Sequence, residues 1–558
     1  MKADRGRRLS LFIVFLALVL ATGCGDRSEK KSAVPPKDVV DIAVGNGGKA
    51  PSYGDAIIIG SIGDISGLIP NITSDSASRD IGDFIYDGLV RYDKNLELEG
   101  VLAESWEIEE GGLKIVFHLR KDVKWHDGEP FTSKDVLFTY KFMIDPRTPT
   151  AYAESFLQVK NAYAPDPHTF VVEYEKPYAP ALGSWGLYIL PEHRLRDTED
   201  PIKSEQNRNP VGTGAYKFVE WKPAERVVLE SNHDYFLGRP YINRIIYRII
   251  PDQATMFLEL KAGGVDFMGL TPPQYRRQTE AAEFKKRYNK FRYISFSYTY
   301  LGYNLKNPLF KDKRVRQALS HAINRMDILK GVLLGLGVEA TTPYKPDTWV
   351  HNPGVRKFEY DPEKAKELLA EVGWEDSDGD GILDKDGREF NFTIMTNHGN
   401  EARSKTATLI KSYFEKIGVS VKIRIVEWAA FINEFIDKKN FEAVILGWGT
   451  GPEPDQYNIW HSSKTGEKEL NFISYANPEV DELLEKGRRT FDKEKRREYY
   501  WRLQEILAEE QPYNFLYVGE SLPAVHKRFR NIEPAPAGIT YNFIEWYVPE
   551  SEIRHTKF

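Results

Sequence analysis

At 558 residues the chain is three to four times a domain of roughly 150 residues, which excludes a single compact domain. Hydrophobic residues at 41%, 13% of the chain being aromatic, supply packed cores and exclude a disordered polymer. A net charge of −6 excludes nucleic acid as a partner, because phosphate binding needs a concentrated basic surface.

The chain opens on Lys2, Arg5, Arg7 and Arg8, then an apolar run from Leu11 to Ala21. That run is about half the roughly 20 residues a spanning helix needs, so residues 1–23 read as a secretory signal. Thr22 and Gly23 lead into Cys24, the only cysteine. One thiol allows no intramolecular disulfide and no cysteine-rich zinc site. The context resembles the bacterial lipoprotein box, in which the thiol receives a diacylglyceryl group; the alternative is an ordinary signal with a chance cysteine. Lipidation at Cys24 makes the expected membrane contact a lipid anchor only, outside the cytoplasm. Residues 24–52, rich in Lys, Asp, Gly and Pro, read as a flexible tether.

The folded body begins near Tyr53. Ala56–Gly60 is an apolar run suited to a buried strand, and 83–90 carries helical spacing closed by Gly88. Residues 113–119 alternate as a strand, and the turn 126–130 leads through Thr132 and Ser133, a helix cap, into a helix over 134–143. Strands are predicted at 226–230, 244–250, 292–304, 392–395, 421–426 and 443–446. Helices are predicted at 255–262, 315–324, 361–372, 402–417 and 499–509. This alternation indicates α/β domains with mixed sheets.

Five segments in order carry a resemblance. They are Leu102–Trp106 with Phe117–Val136, then Val211–Tyr216, Asn304–Arg325, and Tyr360–Ala365 with Leu368 and Leu369. The chain resembles the extracytoplasmic solute-binding proteins of the peptide and nickel ABC transporter family. The resemblance implies a two-lobed periplasmic-binding-protein-like fold (class II type) with an extra subdomain in the first lobe. Lobe I is then 53–80, 212–300 and a return at 515–558; the inserted subdomain is 81–211 and lobe II is 301–514, with hinge crossings near Tyr300 and Tyr513. It also implies a monomer that is not an enzyme, needs no cofactor, captures an oligopeptide in the interlobe cleft and delivers it to permease subunits. An oligosaccharide receptor of the same family and, more remotely, a secreted glycoside hydrolase are the alternatives. No His-Glu-x-x-His, Gly-x-Ser-x-Gly or P-loop motif is present.

Candidate ligand contacts follow from the resemblance. Trp448, Gly449, Thr450 and Gly451 lie in its ligand loop after the 443–446 strand, where open α/β sheets bind ligands. Peptide binders of the family carry an Asp at the position of Gly451, so a free-amine anchor is in doubt; Glu453 or Asp455 substitutes for it or is a turn residue. Tyr298, Tyr300 and Tyr303 form a cleft wall or fill the core, alternation placing Tyr298 and Tyr300 on one face. Asn471 holds ligand backbone or closes a turn. Separately, Asp376, Asp378, Asp380 and Asp384 have the spacing of a calcium loop, a possible structural Ca2+ site, but Gly387 stands where the bidentate Glu belongs; the alternative is an acidic turn. His126, Asp127 and Glu129 are explained by the signature turn.

Overall fold

The structure, a computed structural model, describes residues 50–555. The signal segment, Cys24 and most of the tether lie outside the described residues. Among those described, no helix is long and apolar enough to cross a membrane.

The first lobe opens with β1 (Gly54–Ser61) and α1 (Ser76–Ile85), whose N-cap Asp75 accepts from the Ser78 N–H. An inserted unit follows, with β2 (Ala103–Glu109), β3 (Lys114–Leu119), α2 (Ser133–Ile144), β4 (Val159–Asp166) and β5 (Thr169–Tyr174). Its sheet is antiparallel in the order β2-β3-β5-β4. Thr132 and Asp135 form a capping box that starts α2, satisfying two otherwise unpaired N–H groups. The chain then re-enters the first lobe through β6 (Tyr216–Lys222), β7 (Arg226–Ser231), β8 (Ile242–Ile249), α3 (Gln253–Ala262), β9 (Phe267–Gly269) and β10 (Tyr288–Lys290).

The second lobe holds β11 (Tyr293–Ile294), β12 (Ser297–Tyr303), α4 (Lys313–Ala322), β13 (Gly337–Glu339) and α5 (Pro362–Glu371). It continues with β14 (Asn391–Asn397), α6 (Glu401–Glu415), β15 (Ser420–Val426), β16 (Ala443–Gly449), α7 (Pro478–Arg488), α8 (Lys493–Glu510) and β17 (Tyr513–Ser521). β18 (Pro523–His526) rejoins the first sheet. The first sheet runs β10-β18-β9-β1-β8-β7-β6; the second runs β11-β17-β12-β16-β14-β15, with β13 on β17. Each is a mixed sheet: β1 is parallel to β8 and β9, and β14 to β15 and β16. One face of the second sheet, with Leu301 and Tyr303, packs on α4, α5 and α6. The other, with Tyr298 and Tyr300, packs on α7 and α8.

Three expectations are corrected. The helix expected over 83–90 is the end of α1, which stops at Ile85, and Val90–Tyr92 is a strand. Gly88 marks a close approach instead of a helix end, since a Cβ there would lie 2.6 Å from the Gly186 carbonyl oxygen. The strand expected over 292–304 breaks into β11 and β12, because both pair with β17 but four residues separate Ile294 from Thr299 where two separate their partners Glu520 and Tyr517. The lobe boundaries also move. α1 packs in the first lobe's core through Ala77, Ile81 and Ile85, as do Leu190 and Leu195, so the inserted unit spans 88–189 instead of 81–211. The chain changes sheet between Lys290 and Tyr293 and between Ser521 and Pro523. Residues 297–300 and 515–521, expected in lobe I, are thus central strands of lobe II, and the hinge lies at 291–292 and Leu522, not at Tyr300 and Tyr513.

Candidate functional site

The carboxyl ends of the parallel strands of the two lobes face one another. After β1, Gly63 lies against Trp428, which follows β15; a Cβ on Gly63 would come within 2.9 Å of the indole. After β14, Gly399 has φ +85 and approaches Pro251, which follows β8, so closely that a Cβ would sit 2.3 Å from its carbonyl oxygen. Only glycine meets both demands. The Glu401 N–H donates to Gln253 Oε1 at 3.1 Å. Ligand sites of open α/β sheets lie at such strand ends, and here two sets enclose one cleft.

The inserted unit meets lobe II at a second place. Glu154 takes Arg488 Nη1 and Lys464 Nζ, each at 3.0 Å. The Ala179 N–H donates to the Arg488 carbonyl at 2.7 Å.

Trp448, the penultimate residue of β16, is half-buried, its Nε1 donating to the Tyr513 hydroxyl at 3.2 Å. Gly449 and Gly451 are exposed, and a Cβ on either would meet nothing within 4 Å. The Thr450 N–H continues the ladder by donating to the Phe296 carbonyl at 2.7 Å. This loop therefore offers backbone and open space at the strand end.

The other expected contacts are consumed by the fold. Asp455 pairs with Arg488 at 2.8 Å and Glu453 with Arg496. Neither carboxylate is available to a ligand amine in place of the missing Asp. Tyr298, Tyr300 and Tyr303 are at most 2% exposed. Tyr300 stacks on Tyr513 with centroids 3.8 Å apart, Tyr298 packs on Phe515, and Tyr303 on the opposite face packs on Phe310 and donates to Asn514. They fill the core and are not a cleft wall, although the shared face of Tyr298 and Tyr300 is as expected. Asn471 is fully buried, donating to the His461 and Tyr475 carbonyls and accepting from the Tyr475 N–H. It is a turn clamp.

In the acidic loop, Asp376, Asp378 and Asp380 present carboxylate oxygens within 4.8 Å of one another. Asp384 does not join them; it accepts from the Ser377 N–H and hydroxyl. His126 is held between Gly212 and Gly214, its Nδ1 accepting from the Gly212 N–H at 3.2 Å and its Nε2–H donating to the Gly214 carbonyl oxygen at 2.9 Å. Burial pushes its pKa down to about 4. The signature turn thus staples the inserted unit to lobe I.

Two sets of residues in the cleft were not expected from the sequence. On α1, Asp80 keeps water contact yet is enclosed at longer range; burial, then Asp83 and Asp75, push its carboxyl up to about 7. In lobe II, Asp437 is pushed up to about 6 by burial, with Asp75 of lobe I contributing. On α6, Arg403 lies over Gly447 and donates to Asn397. Charged residues on amphipathic helices ordinarily read as solvated faces, so spacing gave no signal for either.

The comparisons agree with this geometry. Residues 97–469 match the family described as bacterial extracellular solute-binding proteins, family 5 Middle. The oligopeptide-binding protein AppA of Bacillus subtilis is 35% identical over 553 residues, covering 97% of this chain and 98% of that one. Its structure in complex with a nonapeptide superposes with a TM-score of 0.85 at 34% identity, over 89% of this chain and 100% of that one. DppA of Helicobacter pylori, in complex with the peptide STSA, gives 0.81 at 27% identity, over 89% and 99%. Paired strand ends around a hinged cleft, and a match along nearly the whole length, place this chain in family 5 of the bacterial extracellular solute-binding proteins, two-lobed and non-enzymatic.

Proposed function

We propose that this chain is the receptor component of an ABC importer for oligopeptides, held at the membrane by a lipid on Cys24 and passing its ligand to permease subunits. It works as a monomer that closes two lobes on an extended peptide. The observation that carries the reading is the match, over 97% of the chain, to an oligopeptide-binding protein, together with a cleft between opposed strand ends. Exposed backbone at Gly449 and Gly451 suits a ligand held by main-chain hydrogen bonds, which tolerate many side chains. The oligosaccharide reading drew on the aromatic content and on the missing amine-binding Asp; Tyr298, Tyr300 and Tyr303 are buried in the core, which removes the first of these supports.

Native mass spectrometry of co-purified ligand, with calorimetry on nonapeptides and on cello- and manno-oligosaccharides, tests the assignment. Peptide binding without glycan binding is expected; the reverse overturns it. Fatty-acid labelling of the wild type, lost in Cys24→Ser, is expected of the anchor, and an unlabelled wild type refutes it.

A further inference from the structure

The deep arginines of this fold are almost all matched. Arg488 has Glu154 and Asp455, Arg496 has Glu453, and Arg528 has Asp55 and Asp266. Arg316 and Arg325 are wrapped in backbone carbonyls. Arg403 is different. Its guanidinium carries five N–H donors, and its one hydrogen bond within the described residues is from Nη1 to Asn397 Oδ1, at 2.9 Å. Among the described residues no carboxylate lies within ion-pair distance of it. Burial holds its pKa below the ordinary arginine value, and the Tyr517 and Tyr300 hydroxyls are the groups that oppose this.

Its place is as informative as its pairing. Arg403 sits in the first turn of α6, and its Nη2 lies over Gly447 of β16, where a Cβ would come within 2.9 Å. The missing side chain at Gly447 is what lets the guanidinium lie across the sheet. Asn397 is the last residue of β14, and Gly399, two residues on, touches lobe I. The guanidinium is therefore at the carboxyl ends of β14 and β16, on the wall of the cleft, and it remains partly open to water. A guanidinium taken this far out of water needs an anion, and its planar fork matches a carboxylate bidentately.

Building on the oligopeptide reading, we infer that Arg403 receives a carboxylate of the bound peptide and makes lobe II selective for a free acid at that place. The anion is the peptide's terminal carboxylate or an acidic side chain, both being the same chemistry. A charge-assisted contact in a desolvated site is expected to favour the acid about tenfold or more over its neutral isostere.

The probe is one glutamate-containing nonapeptide in three forms: free acid, C-terminal amide, and free acid with glutamine in place of glutamate. Each is titrated by calorimetry into the wild type, R403K and R403Q, with thermal unfolding to establish that the variants are folded. One neutral form is expected to bind the wild type about tenfold or more weakly, and which one it is identifies the carboxylate. R403Q is expected to erase that preference by weakening only the acid form. R403K keeps the charge without the fork and is expected to retain part of the preference, and it remains informative if R403Q does not fold. A wild type indifferent to both neutral forms overturns the inference. So does an R403Q that weakens all three forms equally, which would make Arg403 a positioning residue for Asn397. Failure of all forms to bind the wild type is a failure of the oligopeptide reading itself and removes the inference with it.

Discussion

Glu154 belongs to the inserted unit, yet its carboxylate is held from lobe II by Arg488 and Lys464, each at 3.0 Å. Lobe opening about 291–292 and Leu522 has to separate these groups, so Glu154→Gln should bias the protein toward the open form. All three side chains are at most 10% exposed, so salt screens the contact little. Leaving a buried charge wholly unpaired costs about 3–5 kcal/mol. Here Arg488 keeps Asp455 at 2.8 Å and Lys464 keeps Glu469 at 3.8 Å, so the loss is closer to that of one charged hydrogen bond, about 2 kcal/mol. At 1.36 kcal/mol per factor of ten, that is about a thirtyfold fall in the closed-to-open ratio. It compares with about 5.5 kcal/mol needed to carry an equilibrium from 1:99 to 99:1. When ligand binds only the closed form, apparent affinity falls with the closed fraction, by up to about thirtyfold for a nonapeptide. Small-angle scattering of the peptide-free protein should show a larger radius for E154Q, and calorimetry the weaker binding. An unchanged radius together with an unchanged Kd would show that the inserted unit and lobe II move as one body.

Two further outcomes follow from the same geometry. Tyr300→Ala removes a fully buried ring stacked on Tyr513, and the expected cost is about 3–5 kcal/mol of stability; lost peptide affinity with an unchanged denaturant midpoint would return Tyr300 to the cleft. For Asp80, whose carboxyl is raised from 3.8 to about 7, the folded state binds the proton more tightly than the unfolded one. Stability therefore falls as pH rises from about 4 to about 7 and stays lower above that. Asp80→Asn should raise the Tm at pH 8 and leave it unchanged at pH 4, by about 1 kcal/mol at most because the side chain is screened by water. Equal shifts at both pH values would refute a charge origin.

Much of the architecture was legible because it depends on local rules. The cap at Thr132, the period of 114–119 and the helices at 313–322 and 362–371 are set by residues within one or two turns, and each fell within a few positions of its predicted bounds. What local rules cannot see is which strand pairs with which. β12 and β17 are about two hundred residues apart in the chain, and their pairing as central strands is what moved the hinge from Tyr300 and Tyr513 to 291–292 and Leu522. Gly88 was misread for the same reason, since the Gly186 backbone that it accommodates comes from a distant segment.

The site was less legible, and the cause is competition for partners. A carboxylate or tyrosine in the right loop is a ligand contact only if no side chain of the fold claims it first. Asp455 and Glu453 are claimed by Arg488 and Arg496, both far enough along the chain that no spacing rule connects them, and Asn471 is claimed by its own turn through Tyr475. The converse holds for Arg403, ordinary in sequence because it stands among Glu401, Ser404 and Lys405 on a helix, and distinctive in space because no carboxylate of the described chain reaches it. In a cleft that closes on its ligand, the informative residue is therefore the charged group the fold leaves without a counterion, since a polar group out of water is retained only where something satisfies it. On that criterion lobe II contributes Arg403, whose guanidinium at the carboxyl ends of β14 and β16 is where a carboxylate of a bound peptide has to lie.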